Sequence, residues 1–291
     1  MPVAIAHGVQ ESLLEFRIGE ATSLGLVAEP EGQPSASVGV LIVVGGPQYR
    51  VGAHRHFVLL ARQLATAGFT SLRFDHCGLG DCVAPLRSFE ALDDDIESAI
   101  QALMQARPQL QGVVIWGLCD AAAAALLYLA RRPAERVRGL VLLNPWVRSA
   151  QTEAATRIKH YYWERLRSPA FWRKLLGGGV GLQALHGWWQ ARMLARQAPQ
   201  SEGGATGFQD QMAQGWNRSG APLLLQLCTA DLTAQEFVQA TASRPSWQGA
   251  WGRPLLERRD YVDADHTFSQ PQALQAALDD TVVWLKRNFQ A

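Results

Sequence analysis

The stretch Val113-Val114-Ile115-Trp116-Gly117-Leu118-Cys119-Asp120-Ala121-Ala122 constrains this chain more than any other. A β-prone apolar run stops at a small residue. Then come one residue, a cysteine, one more residue and a second small residue, and an alanine-rich segment of helical character follows at once. That is the pattern of a nucleophile elbow, with cysteine where serine usually stands. It predicts that Cys119 occupies a sharp strand-to-helix turn, its sulfur presented for attack on a carbonyl. The rest of the chain must then supply a base, an acid and two oxyanion donors in a predictable order.

The segments around the elbow alternate. Residues 38–44 (VGVLIVV) are continuous and β-branched, the mark of a fully buried strand. Residues 56–67 have helical spacing and end at Gly68, a C-terminal cap. Strands are expected at 70–74, 112–116, 137–143 and 222–228, with a weak one at 254–257. Helices are expected at 88–107, 120–132 and 273–289. Two apolar runs between residues 13 and 27 predict a hairpin, and residues 31–34 a turn. Acids at Glu90 and Asp93–Asp95 lie near the start of the 88–107 helix, where the helix dipole favours them. Strands alternating with helices imply right-handed crossovers, a mostly parallel sheet and helices on both faces.

The alternation breaks after Trp146. Residues 147–220 show no strand pattern and carry ten Lys or Arg against four Asp or Glu. Trp163, Trp172, Trp188, Trp189 and Trp216 lie there too. This predicts a core in two parts, 1–146 and 221–291, with a helical lid insertion at 147–220 over the carboxyl ends of the strands. Open α/β sheets bind ligands at those ends. The large side chains of the insertion are expected mainly to pack it, with one or two Trp facing the site. Its basic, aromatic character leaves contact with a membrane surface open.

A chain of 291 residues, 48% hydrophobic and 18% charged, suits one large α/β domain with an insertion. A net charge of +1 without a nucleic-acid motif argues against nucleic acid as a partner. The spacing of Cys77, Cys82, Cys119 and Cys228 fits neither zinc nor haem, so no metal or cofactor is expected. Reduced thiols and a cytoplasmic location are the expectation. The N-terminus lacks a basic start followed by an apolar stretch, and no apolar run reaches about 18 residues, so neither a signal peptide nor a membrane span is expected.

Taken together, these motifs resemble the α/β-hydrolase superfamily along nearly the whole chain, with Gly117-Leu118-Cys119-Asp120-Ala121 as the nucleophile motif. The family order is nucleophile, acid, histidine. By that resemblance Asp231, in Thr229-Ala230-Asp231-Leu232, is the acid, and His266, in Asp263-Ala264-Asp265-His266-Thr267-Phe268, is the base. Asp263 and Asp265 are rival acids. Adjacent residues rarely point the same way, which makes Asp265 a loop or capping residue beside His266.

One oxyanion donor is then the N–H of Asp120. The other lies in Val44-Gly45-Gly46-Pro47-Gln48, where the family often has His-Gly-x-Pro with x as donor. Aligned on Gly and Pro, x is Gly46. Pro47 has no N–H to give, and Gln48 is the weaker candidate. Val44 departs from the family's His. The Asp120 side chain is expected at the exposed side of the elbow, its charge opposing the thiolate.

Gln48, Arg50 and Trp146 are assigned to substrate contact. Arg50, His54, Arg55 and His56 either bind a substrate anion or form a solvated helix start. The turn Asp75-His76-Cys77-Gly78-Leu79-Gly80-Asp81-Cys82 resembles the family's Asp-x-Arg-Gly-x-Gly-x-Ser, with cysteines for the Arg and Ser, and is structural. Cys228 is expected to pack in the core.

A narrower likeness is carried by Gly45-Gly46-Pro47-Gln48-Tyr49-Arg50-Val51-Gly52, Trp116 to Ala121 and Ala264 to Phe268. These resemble the bacterial hydrolases associated with the exosortase A system, which implies hydrolase activity without fixing a substrate. The chemistry expected is hydrolysis of a small-molecule carboxylic ester or thioester through an acyl-cysteine. An acyltransferase on the same intermediate is the alternative. A dienelactone hydrolase is disfavoured by the long insertion, and a non-catalytic binding protein by the intact triad.

Overall fold

The computed structural model describes residues 3–6, 8–32, 36–46, 48–148 and 207–290. The residues up to Val147 and from Thr206 onward form one compact unit. Most of the expected insertion, with Trp163, Trp172, Trp188 and Trp189, lies outside the described residues, as do Pro47 and part of the expected 31–34 turn.

Nine strands form one sheet among the described residues. They are β1 (Val3–Ala6), β2 (Val9–Ile18), β3 (Ala21–Pro30), β4 (Val38–Val43), β5 (Ser71–Phe74), β6 (Gly112–Leu118), β7 (Val137–Leu143), β8 (Leu223–Cys228) and β9 (Leu256–Tyr261). Their spatial order is β1-β2-β3-β5-β4-β6-β7-β8-β9. The six strands from β5 to β9 in that order run parallel, and β1, β2 and β3 add an antiparallel edge. This is the α/β-hydrolase fold, a mostly parallel sheet with helices.

The helices are α1 (His56–Thr66), α2 (Asp93–Ala106), α3 (Asp120–Arg131), α4 (Phe208–Arg218), α5 (Leu232–Ser243) and α6 (Pro271–Phe289). They cover both faces, and strand side chains sort between them with period two. Val113 and Ile115 of β6 join the cluster built with α2, α3, α4 and α5. Val114, Trp116 and Leu118 join the cluster built with α1 and α6. The chain leaves β4 for β5 on one side and returns past it to β6 on the other. Loops after β4 and β6 therefore face a crevice where the connection reverses direction, which is where open α/β sheets hold ligands.

Several elements differ from expectation. The hairpin is longer than its apolar runs, because polar residues on the outer face of β2 pair as readily as apolar ones. β9 runs to Tyr261 although its sequence, LERRDY, is mostly charged. It is the last strand of the sheet, so one edge and much of its surface meet water. The expected 88–107 helix is broken at Leu92 into a short 3-10 turn (Phe89–Ala91) and α2. Helix α5 was not foreseen. Its buried residues are few, and its apolar periodicity is weak.

The largest correction concerns α4, which falls inside the expected 147–220 insertion. It belongs instead to the core unit. Met212, Ala213 and Trp216 are buried in the cluster that contains α3. Gly215 lies against the Leu126 carbonyl, so close that a Cβ there would collide with it. The segment reads as polar overall because only a narrow stripe is apolar.

The expected cost is specific. Gly215→Val should destabilise the protein by about 3 kcal/mol, since overpacked interiors lose roughly that much. Gly220→Ala, with open space around it, should change stability little. Urea denaturation of both variants checks the contrast.

Candidate active site

Cys119 lies between β6 and α3 with φ 62° and ψ −122°, a left-handed conformation that is strained for any residue but glycine. Four backbone hydrogen bonds hold it there. Its N–H donates to the Leu143 carbonyl at 2.9 Å. Its own carbonyl accepts from Ala122 at 3.1 Å, Ala123 at 3.3 Å and Trp146 at 3.1 Å. The small residues of the motif have a steric cause. A Cβ on Gly117 would stand 2.8 Å from the backbone of Ala121 and of Ala122, in the first turn of α3. Larger side chains would push that turn away and relax the elbow.

Asp231 follows β8 and caps α5. Its Oδ1 accepts the Thr233 N–H at 2.9 Å, and its Oδ2 lies 2.6 Å from Nδ1 of His266. The carboxylate is buried, whereas about a third of the His266 side chain is exposed. Asn144 fixes the end of β8, its Oδ1 accepting the Cys228 N–H at 2.8 Å. His266 reaches from the loop after β9 to Asp231, and Cys119 stands near enough to act on its ring. Asp231, then Cys119, push the imidazole up to about 10 against the opposing effect of burial. Asp231, His266 and Cys119 thus stand in one chain, of which the Asp231–His266 hydrogen bond is the tight link.

Asp265 stands outside that chain. It accepts the Thr267 N–H at 2.9 Å and the Ser269 N–H at 3.1 Å, and so builds the turn that carries His266. The Ser269 hydroxyl, with the Ser269 N–H and then the Thr267 hydroxyl and N–H, lowers its carboxyl to about 2. Asp263 is exposed, with φ 58°. The other three thiols are buried. Burial pushes Cys77 and Cys228 up to about 12.

The oxyanion loop differs from expectation. The Gly46 N–H is already engaged, donating to Oδ1 of Asp120 at 2.7 Å. The Asp120 side chain therefore folds back under the loop after β4 instead of pointing into solvent. Gly45 makes room for it, and the start of α3 offers it further N–H groups.

The substrate-contact assignments are redistributed as well. Arg50 is bound to Asp75 and Asp81, and its N–H donates to Asp75 Oδ1 at 2.7 Å. Its charge is thereby committed, so its place is to hold the loop rather than to meet a substrate anion. The Gln48 side chain accepts the Ala53 N–H at 3.0 Å. Trp146 is half-buried against the core, its N–H on the Cys119 carbonyl. His56 is buried among Phe57, Trp116 and Phe268, and that burial lowers it to about 4. A solvated helix start does not describe it.

A family model described as serine aminopeptidase, S33, matches residues 37–232. The chain belongs to this α/β-hydrolase family. It departs from the family's description in placing cysteine at the elbow of this S33 fold. Among solved structures it is similar to a Pyrococcus furiosus esterase, with TM-score 0.65, 15% identity, and 96% of this chain and 91% of that one covered. A dienelactone hydrolase from Anabaena variabilis gives TM-score 0.60 at 17% identity, covering 98% of this chain and 100% of the other. XC6422 from Xanthomonas campestris, an α/β serine hydrolase without lid, gives 0.58 at 12%, covering 99% of each chain. At these identities the likeness is one of fold. No curated protein matches the chain in sequence. Among the described residues no helix is long and apolar enough to cross a membrane.

The raised imidazole has a consequence for stability. A His that binds its proton more tightly when folded stabilises the fold fully below about pH 6.5, and that contribution fades as pH climbs towards about 10. Asp231→Asn removes its main cause. The Tm difference between wild type and Asp231→Asn should therefore narrow between pH 7 and pH 10, as scanning calorimetry will show.

Proposed function

We propose that this hydrolase cleaves a carboxylic ester or thioester through an acyl-Cys119 intermediate, with His266 as proton carrier and Asp231 as its orienting acid. The observation that supports this most is the His266 imidazole, hydrogen-bonded to Asp231 at 2.6 Å and raised by Cys119 at the strained elbow. The attacking species in this reading is the Cys119 thiolate, its proton carried by Nε2 of His266.

The chemistry then runs in two halves. The thiolate attacks the carbonyl carbon, an S–C bond forms, and the π pair moves to oxygen. The oxyanion collapses, the bond to the leaving alkoxide or thiolate breaks, and that group takes the Nε2 proton. Water attacks the thioester next and gives a proton to the now neutral His266. Collapse releases the carboxylic acid and restores the ion pair. The Asp120 N–H and the loop after β4 supply the oxyanion donors. The P. furiosus esterase is consistent with an ester substrate. The motifs shared with exosortase A-associated hydrolases favour that subfamily. Because the intermediate is itself a thioester, an added alcohol or thiol in place of water would make the same site an acyltransferase.

Iodoacetamide should alkylate Cys119 at least tenfold faster than Cys77, Cys82 or Cys228, as read by peptide mass spectrometry. His266→Ala should abolish the preference. Equal labelling of the four cysteines would refute the reading. Incubation with p-nitrophenyl acetate should leave an acetyl group on Cys119, and its discharge to water or to added alcohol separates hydrolysis from transfer. In a second experiment, Cys119→Ser should fold but lose about 100-fold or more in ester turnover. A hydroxyl needs a neutral general base, and His266 holds its proton. The remaining activity of that variant should rise with pH.

A further inference from the structure

Asp120 is the first residue of α3, directly after the nucleophile. Its Oδ1 accepts the Gly46 N–H at 2.7 Å. Gly45 is what admits it. A Cβ at that position would collide with Oδ1 and stand 2.6 Å from the Leu118 carbonyl. Gly46 turns the loop with φ 62°, and its own Cα faces open space. On the acyl-cysteine reading the N–H groups of Gly46 and Asp120 are the donors for the substrate oxygen. A carboxylate of the chain's own already holds the Gly46 N–H. Charge must develop there during acylation, and a fixed carboxylate on that donor both blocks and repels it.

We propose that Asp120 is a gate on acylation: its carboxylate is the resting occupant of the oxyanion pocket, and Cys119 is acylated only when the substrate carbonyl displaces it from the Gly46 N–H. Burial holds the Asp120 carboxyl above its ordinary value, so the charge is costly where it sits. The gate rests on the acyl-cysteine reading above. It makes Asp120 a rate-setting residue that acts before the chemical step, and it favours acyl groups with an unencumbered carbonyl over those carrying an anion beside it.

Two reactions of the same thiol separate gate from nucleophile. Alkylation by iodoacetamide is a displacement at saturated carbon and needs no oxyanion donor. Acetylation by p-nitrophenyl acetate under single-turnover conditions does. In Asp120→Asn the ratio of acetylation rate to alkylation rate at Cys119 should rise at least tenfold over wild type. In Asp120→Ala, which also empties the donor, it should rise further. Loss of a single oxyanion donor typically changes such rates by about 10²–10³. An unchanged or lower ratio in both variants overturns the gate while leaving the acyl-cysteine reading intact. Absence of any acetyl-Cys119 in wild type and variants alike overturns the reading beneath it. Failure of both variants to fold, judged by far-UV circular dichroism, makes the carboxylate structural and also overturns the gate.

Discussion

The backbone of Cys119 is the constraint on which the site depends. A residue at φ 62° and ψ −122° carries strain of about 1–3 kcal/mol and persists only where its surroundings fix it. Here three elements do so at once. β7 accepts its N–H, the first turn of α3 donates to its carbonyl, and the segment after β7 donates through Trp146. The same three elements carry the buried core on either side of β6, in which every residue is buried. The strain is therefore set against the packing of the sheet centre rather than against a loop. That keeps the sulfur pointed out of the strand with little freedom to retreat.

Asp231 and His266 are positioned by a different logic. Asp231 is fixed by two obligations, the cap of α5 and the bond to His266, met by different oxygens of one carboxylate. A buried carboxylate with both oxygens satisfied cannot wander, and it imposes one tautomer on the imidazole. His266 hangs on a turn organised by Asp265. Two neighbouring acids thus have divided tasks: one shapes the loop, the other orients the ring. The division follows from where each carboxylate finds N–H donors.

Much of this was legible in sequence. The VGVLIVV run and the Gly-x-Cys-x-Ala motif are local signals, and local signals survive without a structure; Asp231 and His266 were singled out by chain order, and the structure brings those two together at 2.6 Å. Helix α6 was legible because its apolar stripe is sustained over many turns. What sequence could not supply were contacts set by tertiary placement. The Gly46–Asp120 bond joins residues 74 positions apart. A Gly-Gly pair in a loop does not tell that one member clears space for a carboxylate while the other binds it. Helix α4 was misplaced because polarity dominates its composition, while its membership of the core turns on Met212, Ala213, Gly215 and Trp216. β1 carries too few residues for a pattern, and β9 has a charged sequence that only an edge position explains.

The turn after β5 carries a charge that a neighbouring loop must meet. Asp75 is completely buried, and a buried carboxylate needs a cation or a set of N–H donors close by. Arg50 supplies it from the loop after β4, binding Asp75 with both side chain and backbone and reaching on to Asp81. The pair ties the loop that carries Gly45 and Gly46 to a buried charge after β5. The same loop meets the elbow separately, through the Gly46–Asp120 bond. The loop after β4 is therefore anchored at two places, by an ion pair on one side and by the residue beside Cys119 on the other.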